Sequence, residues 1–119
     1  MRVMLVDDHA AFRHSASVLL EHEGVRVVAT AESGEQALAL LDAGKATDEA
    51  DVILVDLRLP GMDGVEVSEA IAGRRSPPPV ILISSHDEAA SDPRVIGAPV
   101  RGFLPKRDLT CDAILALLG

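Results

Sequence analysis

Residues able to do chemistry stand directly after short apolar runs in this chain. Asp7 and Asp8 follow Val3-Met4-Leu5-Val6, Asp56 follows Val52-Ile53-Leu54-Val55, and Ser84 follows Val80-Ile81-Leu82-Ile83. Lys106 comes just after a weaker run from Val100 to Leu104. Gathered in one crevice, three carboxylates would each disfavour the ionisation of the others unless a cation came between them. Oxygen donors without sulfur suit a hard ion such as Mg²⁺, which keeps waters and leaves room for a phosphoryl oxygen. A carboxylate nucleophile beside that ion, with an ammonium and a hydroxyl at hand, is a set suited to phosphoryl transfer, and Ser84 could donate to a phosphoryl oxygen. His9, His14, His22 and His86 lack the spacing of a metal set and read as surface or loop histidines.

Those residues meet only if the elements between them bring the run ends together. None of the three strong runs alternates with polar residues, the pattern of strands buried on both faces of a parallel sheet. Val25 to Ala29 and Val100 to Leu104 are weaker candidates. Between the runs lie helical patterns. Residues 10–23 set Phe12, Ala16, Leu19 and Leu20 toward one face. Ser33-Gly34-Glu35-Gln36 reads as a capping box, and Asp63-Gly64-Val65-Glu66 as a looser form of the same signal, each ahead of an apolar face. Leu109, Ile114, Leu115, Leu117 and Leu118 form a last apolar face. Strand and helix in alternation predict an α/β fold with right-handed crossovers, five strands, about five helices and helices on both sheet faces. Gly44 to Ala50 and Ser76-Pro77-Pro78-Pro79 read as loops. Asp92-Pro93 and Gly97-Ala98-Pro99 crowd the place of the fourth helix, so that helix is expected to be short or distorted. In a doubly wound sheet of order 2-1-3-4-5 the first and third strands are neighbours, and their carboxyl ends share the crevice where ligands bind.

With 119 residues there is room for one domain, taken here as 1–119. Nineteen acidic against eleven basic residues give a net charge of −8, which repels a phosphate backbone and argues against direct nucleic-acid binding. Phe12 and Phe103 are the only aromatic side chains, so no stacking platform for bases is available. Cys111 is the single cysteine, which excludes an internal disulfide and thiolate zinc sites and suits a reducing cytoplasm. No apolar stretch has the roughly 20 residues of a membrane span, and no signal peptide precedes the first run.

With these residues placed, the chain resembles the receiver domain of two-component response regulators over nearly its whole length. The resemblance rests on Val-Asp-Asp-His at 6–9, Val-Asp-Leu-Arg-Leu-Pro-Gly-Met-Asp-Gly at 55–64, Ile-Ser-Ser-His-Asp at 83–87 and Gly-Phe-Leu-Pro-Lys at 102–106. It implies a flavodoxin-like sheet, and Asp56 as phosphoacceptor for a sensor histidine kinase or phosphotransfer protein. It further implies Mg²⁺ held by Asp8 and Asp56, by Asp7 mainly through water, and by the carbonyl of Arg58. Lys106 corresponds to the family's phosphoryl-pairing lysine, Ser84 to its switch hydroxyl and Phe103 to the aromatic that moves with it. The family works by a population shift on a surface built from the fourth helix, fifth strand and fifth helix. Here Pro93, and about two extra residues before Gly102, alter that surface, so the usual dimer face is not expected and a monomer or weak homodimer is. Arg58 and His86 occupy the places where family members tune the lifetime of the aspartyl phosphate.

The opening segment looks most like receivers that precede a helix-turn-helix output domain. A stand-alone cytoplasmic receiver, signalling to a downstream effector protein and with no enzymatic turnover, is the expectation, and a receiver cut from a DNA-binding transcription factor is the alternative. A haloacid-dehalogenase-type phosphatase needs a second aspartate two residues after the nucleophile, where Arg58 stands. A dinucleotide or flavin binder needs a glycine-rich first loop, which Asp7-Asp8-His9-Ala10 does not supply. A degenerate receiver acting only through contacts is at odds with the complete acidic set and Lys106.

Overall fold

In the computed structural model, residues 1–44, 50–86 and 90–119 are described. Five strands, β1 (Arg2–Val6), β2 (Arg26–Ala31), β3 (Val52–Asp56), β4 (Val80–Ser84) and β5 (Gly102–Pro105), form one parallel sheet in the order β2-β1-β3-β4-β5. The helices are α1 (Ala10–His22), α2 (Gly34–Ala43), α3 (Gly64–Ala72), α4 (Pro93–Ile96) and α5 (Cys111–Leu118), with a 3-10 turn over Lys106–Asp108. This is the doubly wound fold expected.

Strand periodicity divides the core in two. Met4, Val6, Ile53, Val55 and Leu82 point to the face covered by α2, α3 and α4, where Ala37, Leu41, Val67, Ile71 and Val95 meet them. Val3, Leu5, Val52, Leu54, Ile81 and Ile83 point the other way, onto Ala16 and Leu20 of α1 and Ile114 of α5. Every residue of β3 and β4 is buried, whereas β5 is half-buried throughout and β2 runs from exposed Arg26 through half-buried Val27 to Ala29, because each closes one edge of the sheet. That is why the edge strands have the weaker apolar signal. Their bounds also fall one or two residues later than the apolar runs, since Val25 and Val100 pack against the core without joining the ladder.

Two residues of the expected apolar faces lie outside. Leu19 is 46% exposed and Leu115 is 50% exposed. Each neighbours a residue that takes the inward position, Leu20 and Ile114, and adjacent helix positions lie about 100° apart and cannot both face the sheet. Both caps form, but the full box is at the looser signal and not at Ser33. Asp63 and Glu66 form a full capping box, while Ser33 accepts from Gln36 N and the Gln36 side chain reaches past it to the N–H of Glu32. The expected loop over 44–50 lies largely outside the described residues, and 76–79 is irregular as expected.

The fourth helix is a single turn. Pro93 does not interrupt it but starts it, at the first helical position, where no N–H is needed, with Asp92 accepting from Arg94 N and Gly97 ending it.

Candidate functional site

The carboxyl ends of β1 and β3 lie side by side, with Val6 opposite Val55 in the ladder, and the next residues of each chain segment turn into one crevice. Asp7 continues β1, its N–H donating to Ala31 O at 3.0 Å, and its side chain is fully buried. Asp7 Oδ1 accepts from the N–H of His9 at 2.8 Å, while Arg13, one turn into α1, donates to the Asp7 carbonyl at 2.6 Å. The backbone that aims Asp7 is thus tied from both sides. Asp8 is at the rim.

Asp56 is the last residue of β3 and is 3% exposed. Its Oδ1 accepts from Arg58 N at 3.3 Å. The loop beyond it is held close. Leu57 and Leu59 are buried, Gly64 N donates to Leu57 O at 2.9 Å, and Glu35 of α2 accepts from Met62 N at 3.2 Å. A Cβ on Gly64 would stand 2.6 Å from Asp56 O and 2.7 Å from Leu57 Cα, so only glycine lets α3 begin this close to the strand end.

Lys106 reaches in from the end of β5. Its Nζ is 2.6 Å from Asp7 Oδ2, 3.4 Å from Asp56 Oδ2 and 4.4 Å from the centre of the Phe12 ring. The ring's negative face and the carboxylates together define where the ammonium sits. One cation does not balance the cluster. Burial pushes the Asp56 carboxyl above its ordinary value, the Asp7 charge adds to that, and Lys106 and the Arg58 N–H pull it back only in part. Asp7 Oδ2, although ion-paired with Lys106, lacks a partner of hydrogen-bond geometry among the described residues. A buried oxygen in that state, and donor atoms of Asp7, Asp8, His9 and Asp56 all within 4.8 Å of one another, fit a divalent cation.

Ser84, 1% exposed, ends β4 on the strand next to Asp56, and its Oγ accepts from His86 N at 3.0 Å. Phe103 lies opposite Leu82 in the β4–β5 ladder and packs, half-buried, on the α2, α3 and α4 side. The structure therefore brings Asp7, Asp8, Asp56 and Lys106 together, sets Ser84 one strand over, and leaves Phe103 behind the site, in the core layer. Asp87, the last residue of one motif, lies outside the described residues. Sequence reasoning missed three participants. His9, read as a plain surface histidine, is exposed but has its ring against both aspartates. Phe12 was assigned to the core and Arg13 to nothing. All three follow Asp8 within five residues, and only helix phase, at three or four residues per turn, hinted that they return to the strand end.

Comparison with known proteins agrees with this fold. NarL of Mycobacterium tuberculosis is 38% identical over 119 residues, covering 99% of this chain and 53% of that protein. The response regulator UvrY of Escherichia coli is 33% identical over 107 residues, 89% of this chain and 47% of its own length. The chain spans about half the length of these curated relatives. Among solved structures, the signal receiver domain of the Mycobacterium tuberculosis NarL superposes with a TM-score of 0.82 at 39% identity, covering 99% of this chain and 96% of that one. The response regulator TrrA of Thermotoga maritima, solved in complex with Mg²⁺ and BeF, gives a TM-score of 0.73 at 27% identity over 87% of this chain and 84% of its own. The profile of the response regulator receiver domain matches residues 3–116, and with the sheet order and the clustered acids this places the chain in the response regulator receiver domain family.

Proposed function

We propose that this chain is a phosphoaccepting switch in which Asp56 takes a phosphoryl group from a phosphohistidine of a sensor kinase or phosphotransfer protein. The observation that carries this is the convergence of two buried carboxylates, Asp7 and Asp56, on the Lys106 ammonium at the sheet's ligand-binding end. An oxygen of Asp56 attacks phosphorus, the new O–P bond forms as the P–N bond breaks, and the electron pair returns to the histidine of the donor. The Arg58 N–H fixes the Asp56 carboxylate. Lys106 neutralises charge on the phosphoryl oxygens, and the Phe12 ring beneath its ammonium keeps that charge at the crevice. Asp7, Asp8 and Asp56, with the carbonyl of Arg58, are the residues that would hold Mg²⁺, which when bound supplies further charge neutralisation for the transferred group.

Signal then leaves through the neighbouring strands. The Ser84 hydroxyl becomes a donor to a phosphoryl oxygen, and Phe103, on the adjacent strand, repacks with it, biasing the surface of α4 and β5 toward a downstream effector. Docking by the phosphodonor falls to α1, which leaves the site's first loop and carries the exposed apolar residues Val18 and Leu19, 57% and 46% exposed. The chain acts on itself only and turns over no external substrate.

A small phosphodonor with Mg²⁺ should add one phosphoryl group to wild type, seen as an intact-mass shift, and none to Asp56→Asn. An unchanged wild-type mass under conditions that label other receivers refutes the proposal. A second reading, the regulatory half of a longer transcription regulator, is favoured by the relatives of about twice this length.

A further inference from the structure

Among the described residues the Lys106 ammonium has three partners. Two are carboxylates, Asp7 Oδ2 at 2.6 Å and Asp56 Oδ2 at 3.4 Å, and the third is the Phe12 ring, its centre 4.4 Å from Nζ. The lysine side chain is only 14% exposed, so the ring's negative face acts on the ammonium with little screening by water. Rings are scarce in this chain. Phe12 and Phe103 are the only two, and every buried residue of the two core layers is Val, Ile, Leu, Ala or Met. Phe12 stands at the third position of α1 and is only partly buried against its layer, so filling space does not require a ring there.

The three partners differ in one respect. Both carboxylates belong to the set that would hold Mg²⁺, and a divalent ion beside them takes up their charge and repels a neighbouring ammonium. Mg²⁺ binds oxygen donors, so the ring is the one described partner of Nζ for which the metal does not compete. We propose that Phe12 is a positioning residue for phosphoryl transfer, retaining the Lys106 ammonium in the crevice when Mg²⁺ shares the two carboxylates. A ring face attracts a cation over a broad area rather than along one bond, so Nζ can follow a phosphoryl group on Asp56 without losing its seat. This rests on the reading that Asp56 accepts the phosphoryl group and that the acids hold the ion.

The chain has only two lysines, Lys45 and Lys106, so isotopic labelling of lysine gives two side-chain εCH₂ signals by NMR, with that of Lys106 identified by its loss in Lys106→Arg. The ring current of Phe12 should place the Lys106 signal upfield of its position in the denatured chain, and saturating MgCl₂ should leave most of that displacement in place. Its absence from the metal-free chain, or its collapse when Mg²⁺ binds, overturns the proposal. Reaction with a small acyl phosphate at saturating MgCl₂ supplies the second readout. Phe12→Leu should be phosphorylated about threefold or more slowly than wild type, Phe12→Tyr, which keeps the ring face, should recover most of the rate, and the Mg²⁺ affinity of Phe12→Leu in calorimetric titration should not fall. A Phe12→Leu rate equal to wild type, or a rate and an affinity that fall together, refutes the positioning role and leaves Phe12 as packing. Wild type that binds Mg²⁺ but gains no phosphoryl group refutes the phosphoacceptor reading and the role in transfer with it, while the lysine signal still decides whether the ring holds the ammonium beside the metal. Wild type that binds no Mg²⁺ overturns the acidic site itself.

Discussion

The crevice at the ends of β1 and β3 and the α4 turn between β4 and β5 are built in opposite ways. The first rests on strands that are buried but for Arg2 at the start of β1, with Leu54 and Ile53 fully enclosed, and its two buried carboxylates, Asp7 and Asp56, accept from the backbone N–H groups of His9 and Arg58. The second is four residues with one buried side chain, Val95, and Ile96 is 72% exposed. Its visible tether is an ion pair at the surface, Arg94 Nη2 to Asp63 Oδ2 at 2.9 Å. The difference teaches a division of labour. Side chains that need fixed distances sit where opening costs nearly the whole fold, and the α4 turn sits where opening costs little.

The largest expected effect tests the rigid side. Leu54→Ala should lower global stability by about 2–5 kcal/mol in denaturant melts followed by circular dichroism, while Val95→Ala should cost distinctly less and show itself mainly as faster amide exchange in α4. Equal losses would break the comparison. Next, Gly64→Ala forces a methyl against the backbone of Asp56 and Leu57. A cost of about 1–3 kcal/mol is expected, with weakened Mg²⁺ binding as the Asp56 carboxylate is displaced, and a variant that folds and binds like wild type would show that the strand end is softer than argued.

Much of this contrast was legible in the sequence. The rigid side was readable because strands buried on both faces are runs of Val, Ile and Leu, and the acids end them. The short α4 was readable from Pro93 and Gly97, although the sequence suggested a proline breaking a helix and the structure has one starting it. What could not be read was side-chain direction within the first loop. The tuck of His9 over two aspartates, the seat of Lys106 on Phe12 and the Arg13 tie to the Asp7 carbonyl depend on a single backbone turn before α1 and on packing from residues far along the chain. Leu19 and Leu115 were misplaced for a related reason, because two adjacent leucines carry no mark of which one faces inward.

A smaller effect concerns charge at the rigid end. Burial and Asp7 raise the Asp56 pKa above its ordinary 3.8, so between that value and the folded one the native state holds more protons than the unfolded state, and stability falls as pH rises through the window. Metal-free Asp56→Asn should therefore be more stable than wild type at neutral pH, with the gain shrinking as pH falls toward 3.8. Melting temperatures across that range check it, and a gain that grows toward low pH would contradict the cause assigned. The smallest effect is expected at the tether. Arg94→Ala should leave the global melt almost unchanged, because exposed ion pairs contribute little, yet speed amide exchange in α4 alone. If exchange at the start of α3 rose as well, the Asp63 cap would be coupled to α4 more tightly than the comparison allows.

The crevice draws Asp7 from the first loop and Lys106 from the last, so its assembly requires closing a loop of nearly the whole polypeptide. During synthesis, the acids of the first half are made before the ammonium that tempers them. A partly made or truncated chain cannot present a charge-balanced crevice, and a kinase that recognises the completed set would pass over it. Recognition of the acceptor is thereby also inspection of the fold, and any ion that binds only the finished crevice would raise the population of complete molecules by mass action.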